Sequence, residues 1–271
     1  RLDVNGTQKT DAIEAGDVYS LDEYLDYAPN YKSFLEENPE IALQTKYKDG
    51  KMYSFPYVYL DETSYNLRDQ WFINKQWLDE LGLEMPTTTS EYLDVLRAFR
   101  DNAGTGTIPE NVTPHYMRYG EFIGGQFDIY GTFGLYVYDS TYLALEDGKV
   151  VCQAINPDIK EPLKYLQTMY SEGLMKPEAF TDDWAAYSAA TTSDPPMVGA
   201  FTAFQSANLT DVGQWFYPMA PLDPENGKEP YIRAQVKGST FPMNYLIFKN
   251  NKYPVASVRL ANYMAEPEVS M

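Results

Sequence analysis

The sequence predicts an α/β protein built from layers of helices and short strands, and three observations carry that reading. Short apolar runs of strand length alternate along the chain with segments whose apolar residues recur at helical spacing. Gly, Pro, Asp and Asn stand between them as turn and cap residues. The chain also holds 24 Tyr, 13 Phe and four Trp, an aromatic content that a disordered acidic chain would lack.

The elements follow in order. Leu21, Tyr24 and Leu25, then Tyr31, Phe34 and Leu35, recur at helical spacing within 17–41, punctuated by Pro29 and Pro39. Asp49-Gly50 is a turn before a short strand over Lys51–Pro56. An extended aromatic stretch from Tyr65 to Ile73 leads into a helix over Asn74–Leu81 that Gly82 stops, with Trp77 packed in the core beside Leu81. Thr88 and Glu91 have the spacing of a capping box, each side chain able to take the other residue's free backbone N–H, so a helix should run from about 89 to 100. Residues 101–114 read as a loop, with His115 solvated beside Pro114. From Tyr116 to Tyr142 five glycines break an aromatic-rich segment. Asp147-Gly148 turns into a strand over Val150–Ile155, and a helix over 158–172 should bury Leu163, Leu166, Met169 and Tyr170 on one face and stop at Gly173. Strands are expected at 197–201, 215–217 and 245–248, and a last helix after Pro254.

Composition narrows the function. A chain of 271 residues buries about 70–75% of its unfolded surface and needs no staples. Net charge is −18, and the acids are spread over the chain, with 13 acids and six bases in the first 65 residues. Such a surface repels phosphate and anionic lipid, which disfavours nucleic-acid and membrane-surface roles. One cysteine, Cys152, allows no internal disulfide, and with one histidine, His115, there is no Cys/His set for a metal. No metal or organic cofactor is expected. No apolar run reaches membrane-span length, and the chain opens on Arg1-Leu2-Asp3, so it reads as a soluble, processed or excised piece. Phosphate-loop, nucleophile-elbow and zincin motifs are absent, whereas a spatial pair of carboxylates, as in glycosidases, stays open among 39 acids.

An ordered series of fragments points further. Asp49-Gly-Lys-Met-Tyr-Ser-Phe-Pro56, Trp71–Leu83 and Pro86–Tyr92, followed by Gly148-Lys-Val, Leu163-Lys-Tyr-Leu166, Tyr170-Ser-Glu-Gly-Leu174 and Val198-Gly-Ala, resemble the extracellular solute-binding proteins of bacterial ABC importers, in their sugar-binding branch. The resemblance implies a two-lobe periplasmic-binding-protein-like α/β fold with a ligand held in the cleft between lobes. It places one lobe at 73–238, a partial lobe at 1–65 and 246–271, and crossovers at 64–72 and 239–245.

For function, the resemblance implies a secreted or lipid-anchored, non-catalytic binding component. It would be a monomer that captures a carbohydrate, in particular an oligosaccharide, and delivers it to permease subunits. A secreted carbohydrate-active enzyme and a binder of peptides or other small polar solutes are the alternatives. The family's ligand-contacting positions correspond here to Tyr57, Asp61, Tyr65, Trp71, Tyr119, Phe122 and Phe204, the rings stacking on sugar faces and Asp61 bonding paired hydroxyls. Trp71 could equally pack beneath the crossover, and Tyr119 and Phe122 could be core rings. On the ligand-binding reading, Trp71→Ala and Phe204→Ala weaken sugar binding and leave the lobe folded.

Overall fold

The computed structural model describes residues 6–58, 70–203, 214–233, 240–266 and 268–269. In chain order it contains α1 (Gly6–Glu14), α2 (Pro29–Glu37), α3 (Pro39–Gln44), β1 (Ser54–Val58), β2 (Gln70–Asn74), α4 (Lys75–Leu81), α5 (Thr89–Asp101), β3 (Thr113–Tyr116) and α6 (Phe127–Thr132). There follow β4 (Leu143–Glu146), β5 (Lys149–Cys152), α7 (Lys160–Ser171), α8 (Trp184–Thr191), β6 (Val198–Ala203), β7 (Phe216–Met219), β8 (Thr240–Leu246) and α9 (Pro254–Met264). The architecture is α/β, and the chain divides into two compact units, Arg1–Thr63 with Val236–Met271 and Ser64–Gln235.

In the first unit β1 pairs antiparallel with β8, Ser54 opposite Leu246 and Val58 opposite Thr240, with a register shift between Phe55 and Tyr57. Pro56 sits at that shift, where a residue without an N–H leaves the ladder intact on either side. Leu21, Ala28, Met52, Phe55, Ile247, Val258 and Ala261 form the core beside this ribbon. Asn262 of α9 is bound to α2, its Oδ1 accepting from the Asn30 N–H at 2.8 Å.

The second unit is organised by a four-stranded sheet of order β3-β6-β2-β7. β2 is antiparallel to both neighbours, and β3 and β6 are parallel. Alternation along β2 sends Trp71 and Ile73 to one face and Phe72 to the other. The first face carries the larger core, with Trp77, Tyr92, Leu96 and Phe99 of α4 and α5 and residues of α6 and α7. The second face holds Phe72, Tyr116, Phe201 and Phe216 against Tyr187 of α8. Gly199 lets α5 close on the sheet, since a Cβ there would stand 2.5 Å from the Phe99 ring and 2.6 Å from the Pro114 carbonyl oxygen.

Local signals explain the two helices that follow β2. The Asn74 side chain caps α4 by accepting from the Trp77 N–H at 3.2 Å, and Gly82 takes the left-handed conformation at φ 65° that ends it. Both halves of the expected Thr88–Glu91 capping box form at the start of α5. Elsewhere the structure departs from expectation. Only Leu166 and Met169 of the four apolar residues expected on one face of α7 are buried, while Leu163 and Tyr170 are exposed. The strand after Gly148 ends at Cys152 and gives way to a 3₁₀ turn over Gln153–Ile155, just before Asn156-Pro157. β8 starts five residues before the expected Tyr245, and α1 and α8 carry no strong apolar period and went unpredicted.

Candidate functional site

The strand pairings collect particular residues at one end of the second unit's sheet. Gln70 lies opposite Ala203, Trp71 opposite Thr202 and Met219, and Tyr116 opposite Phe201. The start of β2 therefore meets the ends of β3, β6 and β7, where loops can gather on a rigid frame. A cavity of about 280 Å³ opens there, its wall formed by Trp71, Pro218, Met219, Pro230, Tyr231 and Ile232, with Gln70, Asp128 and Thr132 supplying polar groups. An apolar and aromatic wall with few polar side chains suits a small polyhydroxylated ligand, whose C–H faces stack on rings and whose hydroxyls need placed partners.

A buried ion pair holds the wall in place. Arg233 Nε donates to Asp128 Oδ1 at 2.9 Å and Nη2 to Oδ2 at 3.1 Å, so the guanidinium and carboxylate meet edge to edge. The same guanidinium donates to the carbonyls of Phe122 at 2.8 Å and Tyr138 at 3.1 Å. It lies 5.1 Å from the Phe122 ring centroid and 5.4 Å from that of Phe127. Nearby, Tyr231 N donates to Gly131 O at 2.8 Å. A Cβ on Gly131 would approach the Tyr231 carbonyl oxygen to 2.3 Å, so glycine is what allows the 230–233 segment to seat on α6.

A second buried arginine, Arg118, fastens the loop after β3. Its Nη2 donates to Ile123 O at 2.8 Å, and its backbone N–H donates to Gly124 O at 2.8 Å. Gly120 N donates to Gln126 Oε1 at 2.7 Å. The glycine-broken 119–125 segment is thus held between two guanidiniums, on the Phe122 and Ile123 carbonyls.

Of the residues singled out in the sequence, Trp71 lines the cavity and Phe122 stands on the Arg233 clamp, half-buried and edge-on to Tyr138 at 5.3 Å. Tyr119 lies on the loop after β3, its N–H donating to Ala179 O at 2.6 Å and its ring 5.2 Å from Phe180. Burial raises the phenol of Tyr119, which lies beside that of Tyr130. Tyr57 falls on β1 in the other unit, its side chain outside the described residues, as are Asp61, Tyr65 and Phe204 altogether. Trp71 is 9% exposed and belongs to the main core. An alanine there opens a core cavity, so the expectation that Trp71→Ala leaves the lobe folded does not fit this packing. Asp128, Arg118 and Arg233 were not singled out, because a pair 105 positions apart leaves no local pattern.

His115 reverses its expected place. It sits on β3, buried, its Nδ1 hydrogen-bonded to the Tyr92 hydroxyl at 2.7 Å and its ring 5.9 Å from Trp71. The preceding Pro114 lies within the strand, and alternation turns His115 inward. Burial depresses its pKa from 6.5 to about 3, so the folded state keeps the ring neutral where the unfolded chain would bind a proton. The stability this confers is complete above pH 6.5 and is lost on acidification toward pH 3. Between pH 6.5 and 5 the slope should approach about 1.4 kcal/mol per pH unit from this group. Denaturation of the wild type and His115→Asn at both pH values checks it: the difference between them should shrink or reverse as pH falls, because asparagine keeps a partner for Tyr92 and takes up no proton.

Among the described residues no group of three or more His, Cys, Asp or Glu side chains converges as a metal site, and no helix is long and apolar enough to cross a membrane.

Comparison with known proteins places this geometry. No family model matches the chain. The fructooligosaccharide ABC transporter substrate-binding protein FusA of Streptococcus pneumoniae serotype 4 is 29% identical over 233 residues, covering 82% of this chain and 42% of FusA. The structure of FusA in complex with kestose superposes with a TM-score of 0.78 at 26% identity, over 98% of this chain and 55% of that one. Lipoprotein LipO of Bacillus subtilis is 25% identical over 192 residues, 69% of this chain and 34% of LipO. A solute-binding protein of Bifidobacterium longum infantis, described as binding HMO and associated with an ABC transporter, shares the fold at 23% identity, with a TM-score of 0.73 over 97% of this chain and 55% of its own. The chain spans less than half the length of the curated relatives it matches. In sequence and in its periplasmic-binding-protein-like α/β fold, the chain is similar to the sugar-binding substrate-binding proteins of ABC transporters.

Proposed function

We propose that this chain is part of the substrate-binding component of an ABC importer and that it captures an oligosaccharide at the strand ends of its second unit. The observation that supports this most is the cavity walled by Trp71, Met219 and Tyr231 on a frame similar to that of FusA, a fructooligosaccharide-binding protein. The cavity has the size of one sugar ring, and the strand ends on which it lies extend across four strands. At a strand spacing of about 4.8 Å the sheet end is about 14 Å wide, room for a short oligosaccharide.

On this reading the protein acts by binding alone, as a monomer outside the cell or tethered to its surface, and passes its ligand to permease subunits. Kinship with a lipoprotein supports the tethered location. Calorimetric titration against a panel of neutral oligosaccharides that includes kestose tests the reading, with chromatography of each mixture afterwards. Saturable binding with the sugar recovered intact is expected. Shortened products would favour the carbohydrate-active enzyme, and binding of peptides with no binding of any sugar would replace the carbohydrate by another polar solute.

A further inference from the structure

Trp184 stands at the same end of the sheet as the cavity, on the opposite face. It opens α8, whose N-terminus is capped by Asp183 Oδ1 accepting from the Ala186 N–H at 2.9 Å. Two bonds tie α8 and the residues before it to the strand ends: the Tyr187 hydroxyl donates to Thr202 O of β6, and the Tyr116 hydroxyl, at the end of β3, donates to Asp182. The indole is stacked on the buried Tyr187 ring at 5.4 Å and 29°, and the Arg118 guanidinium lies 5.4 Å from its centroid and 4.9 Å from that of Tyr187. These contacts fix the ring, and still it is 47% exposed. Trp71 and Trp77 are buried and Trp215 is half-buried, so Trp184 is the one tryptophan held rigid with much of its surface open.

Polar groups that hydroxyls could use stand at the Tyr116 ring, whose centroid is 5.8 Å from that of Tyr187. Lys176 Nζ is 2.7 Å from Asp182 Oδ2 and 4.9 Å from the Tyr116 ring centroid. Burial alone would raise the Asp182 carboxyl, but its hydrogen bonds with Lys176 and Tyr116 outweigh that and hold it below the usual carboxylate range. Among the described residues the buried Arg118 Nε has no hydrogen-bond partner; Nη1 lies 3.6 Å from Glu121 Oε2, and the guanidinium packs on the two rings as a cation–π contact. A pre-ordered indole at the end of a row of rings, with an ionised carboxylate and an ammonium at the next ring but one, offers a sugar a flat surface for its C–H face and polar partners for hydroxyls further along.

We propose that Trp184 is the platform of a second carbohydrate subsite, separate from the Trp71 cavity and across the sheet end from it, with Asp182 and Lys176 as hydroxyl partners. The proposal rests on the carbohydrate reading above. Its ligand is a further residue of a neutral oligosaccharide, since a chain of net charge −18 gathers no anions. The test uses kestose and nystose as probes on the wild type, Trp184→Ala and Trp184→Phe, with calorimetry, a melting curve for each, and acrylamide quenching of tryptophan fluorescence. If the wild type binds, Trp184→Ala should weaken binding of the longer probe about five- to tenfold, and Trp184→Phe should restore most of it. Bound sugar should also protect part of the wild-type fluorescence from acrylamide, and in Trp184→Phe the protection should fall to what the remaining tryptophans, Trp71 at the cavity among them, retain. Unchanged affinity in Trp184→Ala, or quenching unaffected by bound sugar, overturns the subsite and leaves the carbohydrate reading standing. Failure of the wild type to bind any sugar of the wider panel overturns both.

Discussion

Replacing Arg233 by Met is expected to destabilise the second unit by about 3–5 kcal/mol, as measured by urea denaturation at neutral pH. Arg233 and Asp128 are both almost fully buried, and the guanidinium makes two bonds to the carboxylate and two to backbone carbonyls. Removing it takes both guanidinium bonds from the Asp128 carboxylate in a low-dielectric setting and a donor each from Phe122 O and Tyr138 O. Asp128→Asn should also destabilise the unit, because it takes the carboxylate's charge from beside the buried guanidinium, with the loss limited by the amide oxygen, which still accepts one of the two bonds. The double variant Asp128→Leu/Arg233→Met should recover much of the loss, since a buried pair replaced by apolar groups removes the desolvation cost of both ions. A double variant as unstable as Arg233→Met alone would mean that the carbonyl bonds, and not the ion pair, carry the effect.

Trp71→Ala should cost a comparable amount, about 3–5 kcal/mol. The indole meets Tyr92 edge-on at 5.4 Å and His115 at 5.9 Å, between β2 and α5, and it forms part of the cavity wall. Truncation therefore removes core packing and a ligand contact together, and binding has to be read on a variant that stays folded. Trp71→Phe keeps a ring in the core and shortens the wall. Near-normal urea stability with weakened oligosaccharide binding in Trp71→Phe would place the ring in the site, and equal binding would confine it to the core.

Signals confined to a few residues were legible in the sequence. The Thr88–Glu91 box and Gly82 as the stop of α4 act through neighbours within four positions, and the pattern of types alone shows them, whereas Asn74, read as the first helical residue, proved to be the cap of α4. β8 was placed too late, because Pro242 breaks a strand pattern that a partner strand nonetheless completes. α8 is rich in Ala, Ser and Thr and lacks an apolar stripe; its one local mark was Asp183, an N-cap. The site divides the same way. Trp71 was named through the family resemblance, whose crossover position falls on it. The Asp128–Arg233 pair, the Arg118 clamp on Ile123 O and the stacking of Trp184 on Tyr187 arise where segments far apart in sequence meet, or from the side a helix turns to the sheet. His115 was misplaced for a related reason: Pro114 reads as a loop residue, and only the parallel pairing of β3 with β6 turns its neighbour inward.

The most direct test of oligosaccharide capture at the strand ends is a crystal structure of the chain grown with the tightest-binding sugar of the panel. The sugar should lie at the strand ends of the second unit, with one ring in the cavity against Trp71 and Tyr231. A sugar bound away from these residues, with the cavity beside Trp71 filled only by solvent, would contradict the account.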